Sequence, residues 1–241
     1  MTMRDLASAE AALPDEIPVF PLTGVLLLPR GKLPLNIFEP RYIAMVDAAL
    51  KDGRMIGMIQ PRNETDLFAV GCAGRITDFS ETEDGRYLIT LRGVSRFHVA
   101  RECAMGFGGY RRVRADWAAF VKDRDDAAAL NIDRSKLCAL LRSYFEREGM
   151  KCDWATIKNA SDDILITCLS MICPLDSGEK QALLEAPCCK TRADLFMSLL
   201  EMAIRDCSRS GGIRQGPLGK HADRVMIREI AANEARRKKD D

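Results

Sequence analysis

The chain has 241 residues, of which 47% are apolar and 29% charged, so it is long enough for one large globular domain or two small ones. Its 36 basic and 35 acidic side chains give a formal net charge of +1, and composition therefore offers no electrostatic argument for a nucleic-acid or anionic-membrane partner. No apolar run approaches the length that is needed to cross a bilayer.

Nine cysteines are present, an odd number, and most of them lie within apolar helical patterns. The first residues contain no apolar stretch of signal-peptide length, which disfavours a secreted, disulfide-linked scaffold. Reduced thiols and a cytoplasmic location are therefore expected, with no membrane association.

Residues 1–15 are a small, Ala-rich lead-in, and residues 16–120 are expected to be rich in β-strand. Short apolar runs bounded by proline and glycine predict strands at 17–22, 25–29 and 32–38. In the third run, the alternating residues that share one face are Leu33, Leu35 and Ile37.

A single helix interrupts this β-rich half. Pro40 suits its first turn, Gly53 suits its C-terminal stop, and apolar residues recur between them at helical spacing. Asp84-Gly85 then predicts a tight hairpin, because this pair tolerates the positive φ that such turns require. After the turn, the residues on one strand face are Tyr87, Ile89 and Leu91, and they alternate with Arg86, Leu88, Thr90 and Arg92. Further strands are predicted at 54–61 and 110–117.

From residue 125 to residue 207 the apolar period becomes helical, and it predicts a bundle of four helices with short connections. Two start signals of the capping-box type are Asp176 with Glu179 and Thr191 with Asp194. Residues 208–241 are expected to be a linker followed by a charged tail helix.

A catalytic or metal-binding constellation cannot be assembled from the sequence. Only two histidines, His98 and His221, are present, no C-x-x-C or H-E-x-x-H spacing occurs, and no glycine-rich phosphate loop opens a helix. The sequence therefore predicts no catalytic residue, no metal site and no cofactor.

Arginines with aromatic neighbours in the β-rich half are a weak argument for binding of single-stranded RNA, and ordinary outward-facing surface positions explain these arginines better. They are Arg75, Arg86, Arg92, Arg96, Arg101, Arg111, Arg112 and Arg114.

Several segments, in the same order, resemble the substrate-binding domain at the N-terminus of the ATP-dependent Lon proteases. The stretch "IPVFPLTGVLLLPRGKLPLNIFEPRYIAMVDAAL" resembles the start of that domain, and "VGCAGRITDF" and "DGRYLITLRGVSRFHV" continue the agreement. In the helical half, "EKQALLEAP" and "TRADLFMSLLEMA" resume it. The resemblance extends from residue 17 to residue 207.

The resemblance implies an α+β fold, in which a β-rich pseudo-barrel of the PUA type precedes a helical bundle. It also implies a role in engaging unfolded or tagged polypeptides before an ATP-driven motor acts. The chain departs from the proteases because it contains no Walker A sequence and no protease module. We therefore expect a protein that is not an enzyme and that resembles the stand-alone Lon-domain proteins of bacteria.

The first functional hypothesis is a polypeptide-binding module with an apolar groove and a few polar anchors. The residues predicted to contact an unfolded or extended polypeptide are Leu22, Val25, Leu27 and Phe38, with Arg92 and Arg96 as anchors at the rim. One alternative is an adaptor that docks on a protease or chaperone complex through the tail at residues 224–241. Another is RNA binding by the pseudo-barrel, which requires the arginines to form a continuous positive surface.

Overall fold

The fold is taken from a computed structural model, which describes residues 13–125, 130–150 and 152–206. The predicted linker and tail at 208–241, and most of the predicted lead-in, lie outside the described residues.

The chain divides into two compact units. The first unit contains Met1–Leu22 and Leu27–Asp125, and the second contains Thr23–Leu26 and Asp126–Asp241. The short segment Thr23–Leu26 thus belongs with the helices, although strands flank it in the sequence.

Six strands in the first unit form one mixed sheet. They are β1 (Glu16–Pro21), β2 (Lys32–Ile37), β3 (Met55–Ile59), β4 (Val70–Glu81), β5 (Tyr87–Glu102) and β6 (Arg112–Asp116). Their order is β2-β5-β4-β3-β1-β6, and an additional β5–β6 pairing closes five strands into a ring that leaves β2 outside. The prediction of an α+β fold with a β-rich pseudo-barrel is confirmed.

β5 is the longest strand, and its two halves have different neighbours. Residues 98–102 pair with β6 and close the ring, whereas residues 87–92 pair with β2. β4 accompanies both halves, and its register with β5 shifts between Ala73 and Gly74, where the two halves meet. We call the three-stranded section formed by β2, the first half of β5 and the second half of β4 the extension.

Apolar side chains around Phe97 fill the interior of the ring. The buried cluster consists of Ile17, Val19, Met55, Ile59, Ala73, Phe97, Val113 and Ala115. The Phe97 ring lies over two glycines, because a Cβ atom at Gly57 or Gly71 would be 2.9 Å or 2.6 Å from its Cζ atom. Phe97 also packs against Trp117, with their ring centroids 5.6 Å apart. The interior therefore admits this large side chain only where its neighbours lack a side chain.

Helix α1 (Pro40–Lys51) forms as predicted, and it packs on one side of the sheet. Pro40 occupies its first turn, and its buried residues are Tyr42, Met45, Val46 and Ala49. The rings of Tyr42 and Phe20 of β1 have centroids 4.2 Å apart. The Tyr87 hydroxyl of β5 donates a hydrogen bond of 3.1 Å to the Asp47 carboxylate. These contacts place α1 over the side of the extension on which Tyr87 lies.

The predicted strand at residues 25–29 is wrong. Residues 25–28 are buried, yet the segment forms no strand. Its backbone lies very close to Gly93, because a Cβ atom at position 93 would be 2.0 Å from the Leu28 carbonyl oxygen. The apolar run is therefore an irregular core segment, since burial on all sides does not require the alternation of a half-exposed strand.

A 3-10 helix, Ala118–Arg124, lies against the outer side of β5, and the sequence pattern does not predict it. Its Asp123 carboxylate accepts hydrogen bonds from Arg96 Nε at 2.8 Å and Arg96 Nη2 at 2.7 Å. The Arg96 guanidinium also lies 4.5 Å from the Phe120 ring centroid, and His98 stacks on the same ring. Arg96 therefore attaches this helix to the ring.

The described residues of the second unit contain five helices. They are α2 (Arg134–Glu148), α3 (Trp154–Asn159), α4 (Asp162–Ile172), α5 (Ser177–Glu185) and α6 (Cys189–Asp206). The capping box of Asp176 and Glu179 is confirmed by hydrogen bonds of 2.7 and 2.8 Å. The start predicted at Thr191 is wrong, because α6 begins two residues earlier at Cys189. α3 is additional to the four predicted helices and is too short to show a clear period.

Lys180 attaches the segment Thr23–Leu26 to these helices. The lysine lies in α5 and is buried. Its Nζ atom donates hydrogen bonds to the Gly24 carbonyl oxygen at 2.9 Å and to the Met171 carbonyl oxygen at 3.2 Å. A buried ammonium group is stable only when it is hydrogen-bonded, so this lysine fixes the position of the segment within the second unit.

Candidate functional site

The six residues predicted to contact polypeptide differ sharply in exposure. The exposed or half-buried ones are Leu22, Phe38 and Arg92, and the buried ones are Val25, Leu27 and Arg96. Phe38 is 61% exposed, the largest exposure among the apolar members of the set. The buried three cannot present their side chains to a ligand in this conformation.

The packing around each of these three residues explains why it is buried. Leu27 packs over Gly74, where a Cβ atom would lie 2.7 Å from the Leu27 Cδ2 atom. Val25 lies in the buried segment that the α5 lysine holds. Arg96 is no rim anchor, because its guanidinium is paired with Asp123 at 2.7 Å and both side chains are almost fully buried.

One face of the extension is exposed, and we call it the open face. Every second residue of β2 and β5 lies on it, and in β4 a register shift between Ile76 and Asp78 inserts one extra residue into the alternation. Its members are Lys32, Pro34 and Asn36 of β2, Leu88, Thr90 and Arg92 of β5, and Arg75, Asp78 and Ser80 of β4. Phe38 continues the alternation directly after β2. All of these residues are exposed or half-buried, whereas the opposite face carries the buried Leu33, Ile37, Ile89 and Leu91.

Large apolar side chains collect at one end of the open face. Phe38 is 61% exposed and Leu88 is 44% exposed, although Leu88 lies within a paired strand. The Arg86 guanidinium lies 5.8 Å from the Phe38 ring centroid, which places the hairpin turn beside that ring. On the opposite face of the same end, Phe79 is 42% exposed and packs edge-on against Tyr87. This end of the extension therefore exposes three large hydrophobic side chains.

The other end of the open face is cationic. Lys32 of β2 is directly opposite Arg92 of β5, and Arg92 is directly opposite Arg75 of β4. Arg75 donates a hydrogen bond of 2.9 Å to the Gly53 carbonyl oxygen. Lys32 and Arg92 form no ion pair with any carboxylate in the described part of the chain. Like charges placed opposite each other are unfavourable, so this row has a net attraction for an anion.

Uncharged and acidic residues separate these two ends. Pro34 and Thr90 are directly opposite each other between the apolar and cationic ends. On the β4 side, Asp78 is opposite Thr90, and its carboxylate accepts a hydrogen bond of 2.8 Å from the Thr77 hydroxyl. The negative charge on the open face is thus confined to the β4 side, away from Lys32.

Leu88 is a candidate contact residue that is not among the six residues predicted from the sequence. A signal for it is present in the sequence, because alternation alone places this leucine on an otherwise polar strand face. The missing information is that no described element covers this face. By contrast, Phe38 is selected from the sequence and is exposed.

The arginines of the first unit do not form the continuous positive surface that the RNA hypothesis requires. Five of the eight arginines that this hypothesis names are bound to carboxylates instead. The ion pairs are Arg86–Asp84, Arg96–Asp123, Arg111–Glu102, Arg112–Glu16 and Arg114–Asp15. Neutralised arginines contribute little to the counterion release that drives nucleic-acid binding.

The described residues show no arrangement typical of catalysis. No group of three or more potential metal ligands occurs in residues 13–125, 130–150 and 152–206. A hydrogen bond with the Thr191 hydroxyl lowers the pKa of the exposed Cys188 thiol, whereas burial raises the pKa of Cys189. Desolvation and then the Asp47 hydrogen bond raise the pKa of Tyr87. None of these groups is accompanied by a base, an acid and an oxyanion site as hydrolysis requires.

Comparison with known proteins identifies the family. Residues 16–202 match the ATP-dependent protease La (LON) substrate-binding domain. The chain belongs to the Lon substrate-binding domain family. This domain is non-catalytic, and the resemblance inferred from the sequence is confirmed. Membership supports a substrate-recognition module.

Curated relatives are Lon proteases that are much longer than this chain. Lon protease 2 of Myxococcus xanthus is 24% identical over 200 residues, which are 78% of this chain and 24% of that protein. Lon protease of Desulfovibrio desulfuricans is 31% identical over 101 residues, which are 39% of this chain and 12% of that protein. The chain therefore matches at most about a quarter of the length of these relatives.

Two solved structures share the fold. A Lon N-terminal domain protein from Xanthomonas campestris aligns with a TM-score of 0.56 and 23% identity over 76% of this chain and 97% of that one. The N-terminal domain of the Mycobacterium avium complex Lon protease aligns with a TM-score of 0.55 and 20% identity over 79% of this chain and 98% of that one.

Within the described residues, none of the helices combines the length and the apolar character that a membrane span needs.

Proposed function

We propose that this Lon substrate-binding domain is a non-catalytic module that binds exposed apolar segments of unfolded polypeptides through the open face. Family membership supports substrate recognition in general. The proposal adds the surface that performs it and the kind of segment that is bound. The proposal includes a cytoplasmic location.

The observation that carries the proposal is the pair of exposed apolar side chains, Phe38 and Leu88, on a regular sheet. Hydrophobic side chains that adjoin one another on an ordered surface are typical of interaction sites. Leu88 is held by strand pairing on both sides, and Phe38 directly follows the end of β2, which lowers the entropic cost of binding compared with a flexible loop. An apolar side chain of a ligand can therefore be buried against them with little reorganisation.

The proposal is tested by fluorescence anisotropy with a labelled, permanently unfolded polypeptide. We expect Phe38→Ser and Leu88→Thr each to weaken binding roughly fivefold, because each removes apolar area from the contact. Val121→Ser is the matched control, since Val121 is also exposed in the first unit but lies on the 3-10 helix. Circular dichroism verifies that the variants are folded.

Saturable binding that is weakened by the two open-face substitutions and not by Val121→Ser supports the proposal. Equal loss in all three variants means that binding is non-specific, and the proposed surface is then rejected. Binding by none of the proteins, including the unaltered one, rejects the proposed function itself.

A second function, docking of the protein on a protease or chaperone complex, is supported by the loop between β5 and β6. Phe107 at its tip is 96% exposed, and Met105 is exposed beside it. The turn is well defined, because Gly106 N–H donates to the Tyr110 carbonyl oxygen at 2.9 Å. Phe107→Ser should abolish capture of such a complex from extract while leaving polypeptide binding unchanged. The tail at residues 224–241, which lies outside the described residues, stays an alternative docking element.

A further inference from the structure

The arrangement of the open face points to a more specific ligand than any unfolded chain. We infer that it selects extended segments in which an apolar side chain and an acidic side chain are four residues apart. This inference rests on the proposed function and adds the chemistry and spacing of the bound segment.

The need for an acidic group follows from the unpaired cations. Lys32, Arg92 and Arg75 form a row across three adjacent strands, and cross-strand pairs of like charge are destabilising. By contrast, Arg111 and Arg112 of the first unit each have a carboxylate partner within the chain. In the row, Arg75 is bonded only to a carbonyl oxygen, and Lys32 and Arg92 have no ion-pair partner among the described residues. A ligand carboxylate supplies the missing counter-charge.

The spacing follows from the geometry of the strand. Leu88 at the apolar end and Arg92 at the cationic end are four residues apart on the same face of β5. A strand rises about 3.3 Å per residue, so the two ends are about 13 Å apart. An extended ligand has the same rise, and its residues i and i+4 also point to the same side. One side chain can then contact Leu88 while the other reaches Arg92.

The surface between the two ends is compatible with an extended chain. Pro34 and Thr90 lie opposite each other and are uncharged. The backbone of an extended ligand can therefore lie over them without removing a charged group from water. Asp78 on the β4 side repels an acidic side chain and directs it toward Lys32 and Arg92. Because of Asp78, an acidic side chain of the ligand is favoured on the β2 side of the open face and disfavoured on the β4 side.

The inference is tested with short labelled peptides of Gly and Ser that contain one Phe and one Glu. In the first peptide the two residues are four apart, and in the second they are adjacent. The third has Gln instead of Glu at the distance of four, and the fourth has no Phe. We expect the first to bind on the order of fivefold more tightly than each of the others, and its advantage over the second and third peptides, which depends on the Glu, to disappear at high salt.

Charge reversal provides the matched test on the protein side. Arg92→Glu should remove the preference for Glu and create a preference for Lys at the same position of the peptide. Arg101→Glu is the control, because Arg101 is exposed on the same strand and also has no ion-pair partner among the described residues. It should leave the ranking of the peptides unchanged.

The outcomes separate this inference from the proposed function. Tight binding of the unfolded polypeptide with no preference among the peptides overturns the inference and leaves the proposed function intact. A preference that Arg92→Glu does not alter also overturns it, because the carboxylate is then bound elsewhere. Absence of binding by the unfolded polypeptide and by every peptide overturns both.

Discussion

The two halves of β5 belong to one continuous strand and yet have opposite relations to solvent. In the ring half, Phe97 is completely buried between two glycines and beside Trp117. In the extension half, Leu88 is 44% exposed although it is apolar and paired on both sides. The two residues differ in what covers them, since the ring closes over Phe97 and no described element lies over the open face.

In this sheet, the pairing of a strand does not determine whether its side chains are buried. β2 and β4 satisfy the backbone hydrogen-bonding groups of β5 in the extension. The strands of the extension therefore stay ordered without another element over the open face. Its apolar residues can therefore remain available to a ligand without loosening the strands. Substitutions in the two halves should consequently affect different properties, stability in the ring and binding in the extension.

Phe97→Ala should have the largest effect on stability, about 4 kcal/mol, because it leaves a cavity in the ring interior. Phe38→Ala, the same change at an exposed site, should cost less than about 0.5 kcal/mol. The unfolding of the first unit can be followed by Trp117 fluorescence in a Trp154→Phe background, since Trp154 lies in the second unit. Similar losses in the two variants would contradict the contrast between the ring and the extension.

Asp123→Asn should destabilise the first unit by about 3 kcal/mol, because it leaves the buried Arg96 guanidinium without its carboxylate. The same denaturation experiment measures the effect. Asp84→Asn is the control, since Asp84 pairs with Arg86 on the surface at 2.8 Å and its loss should be nearly neutral. If Asp123→Asn is also neutral, the 3-10 helix is not held by this pair.

Gly71→Ala should cost about 2 kcal/mol, because the added methyl group would lie 2.6 Å from the Phe97 ring and 2.8 Å from the Met58 carbonyl oxygen. A backbone oxygen cannot move as easily as a flexible side chain. Combining Gly71→Ala with Phe97→Leu should recover part of the loss, because the shorter side chain makes room. Additive losses in the double variant would argue against a steric cause.

Leu88→Thr should have the smallest effect on stability, within about 0.5 kcal/mol, since threonine suits an exposed strand position. Thermal unfolding by circular dichroism measures it. A large loss of stability would mean that Leu88 is covered in solution, and the open face would then be unavailable to a ligand.

The sequence predicts those parts of the fold that depend on local chemistry. The hairpin at Asp84-Gly85 forms, with Gly85 at a φ of 77°, and α1 is followed by Gly53 at a φ of 66°. Glycine at a positive φ is a backbone requirement that a short sequence motif can express. For the same reason α2 ends at Gly149, with a φ of 63°.

The site could be predicted only in part, because exposure depends on tertiary packing. The apolar residues from 25 to 28 look as suitable for contact with a polypeptide as Phe38 does, yet they are buried and Phe38 is not. Likewise, Arg92 and Arg96 are close in sequence, but only Arg96 meets a carboxylate from the 3-10 helix. The periodicity of a strand gives the face of a residue, and the rest of the fold decides whether that face is covered.

Photo-crosslinking from position 88 shows whether a bound polypeptide contacts the open face. Benzoylphenylalanine is introduced at Leu88, at Val121 or at Phe107, all exposed positions of the first unit, and each protein is irradiated with the labelled unfolded polypeptide. We predict strong crosslinking from position 88 and little from positions 121 and 107. Crosslinking from position 107 with none from position 88 would contradict the claim that the open face binds polypeptide.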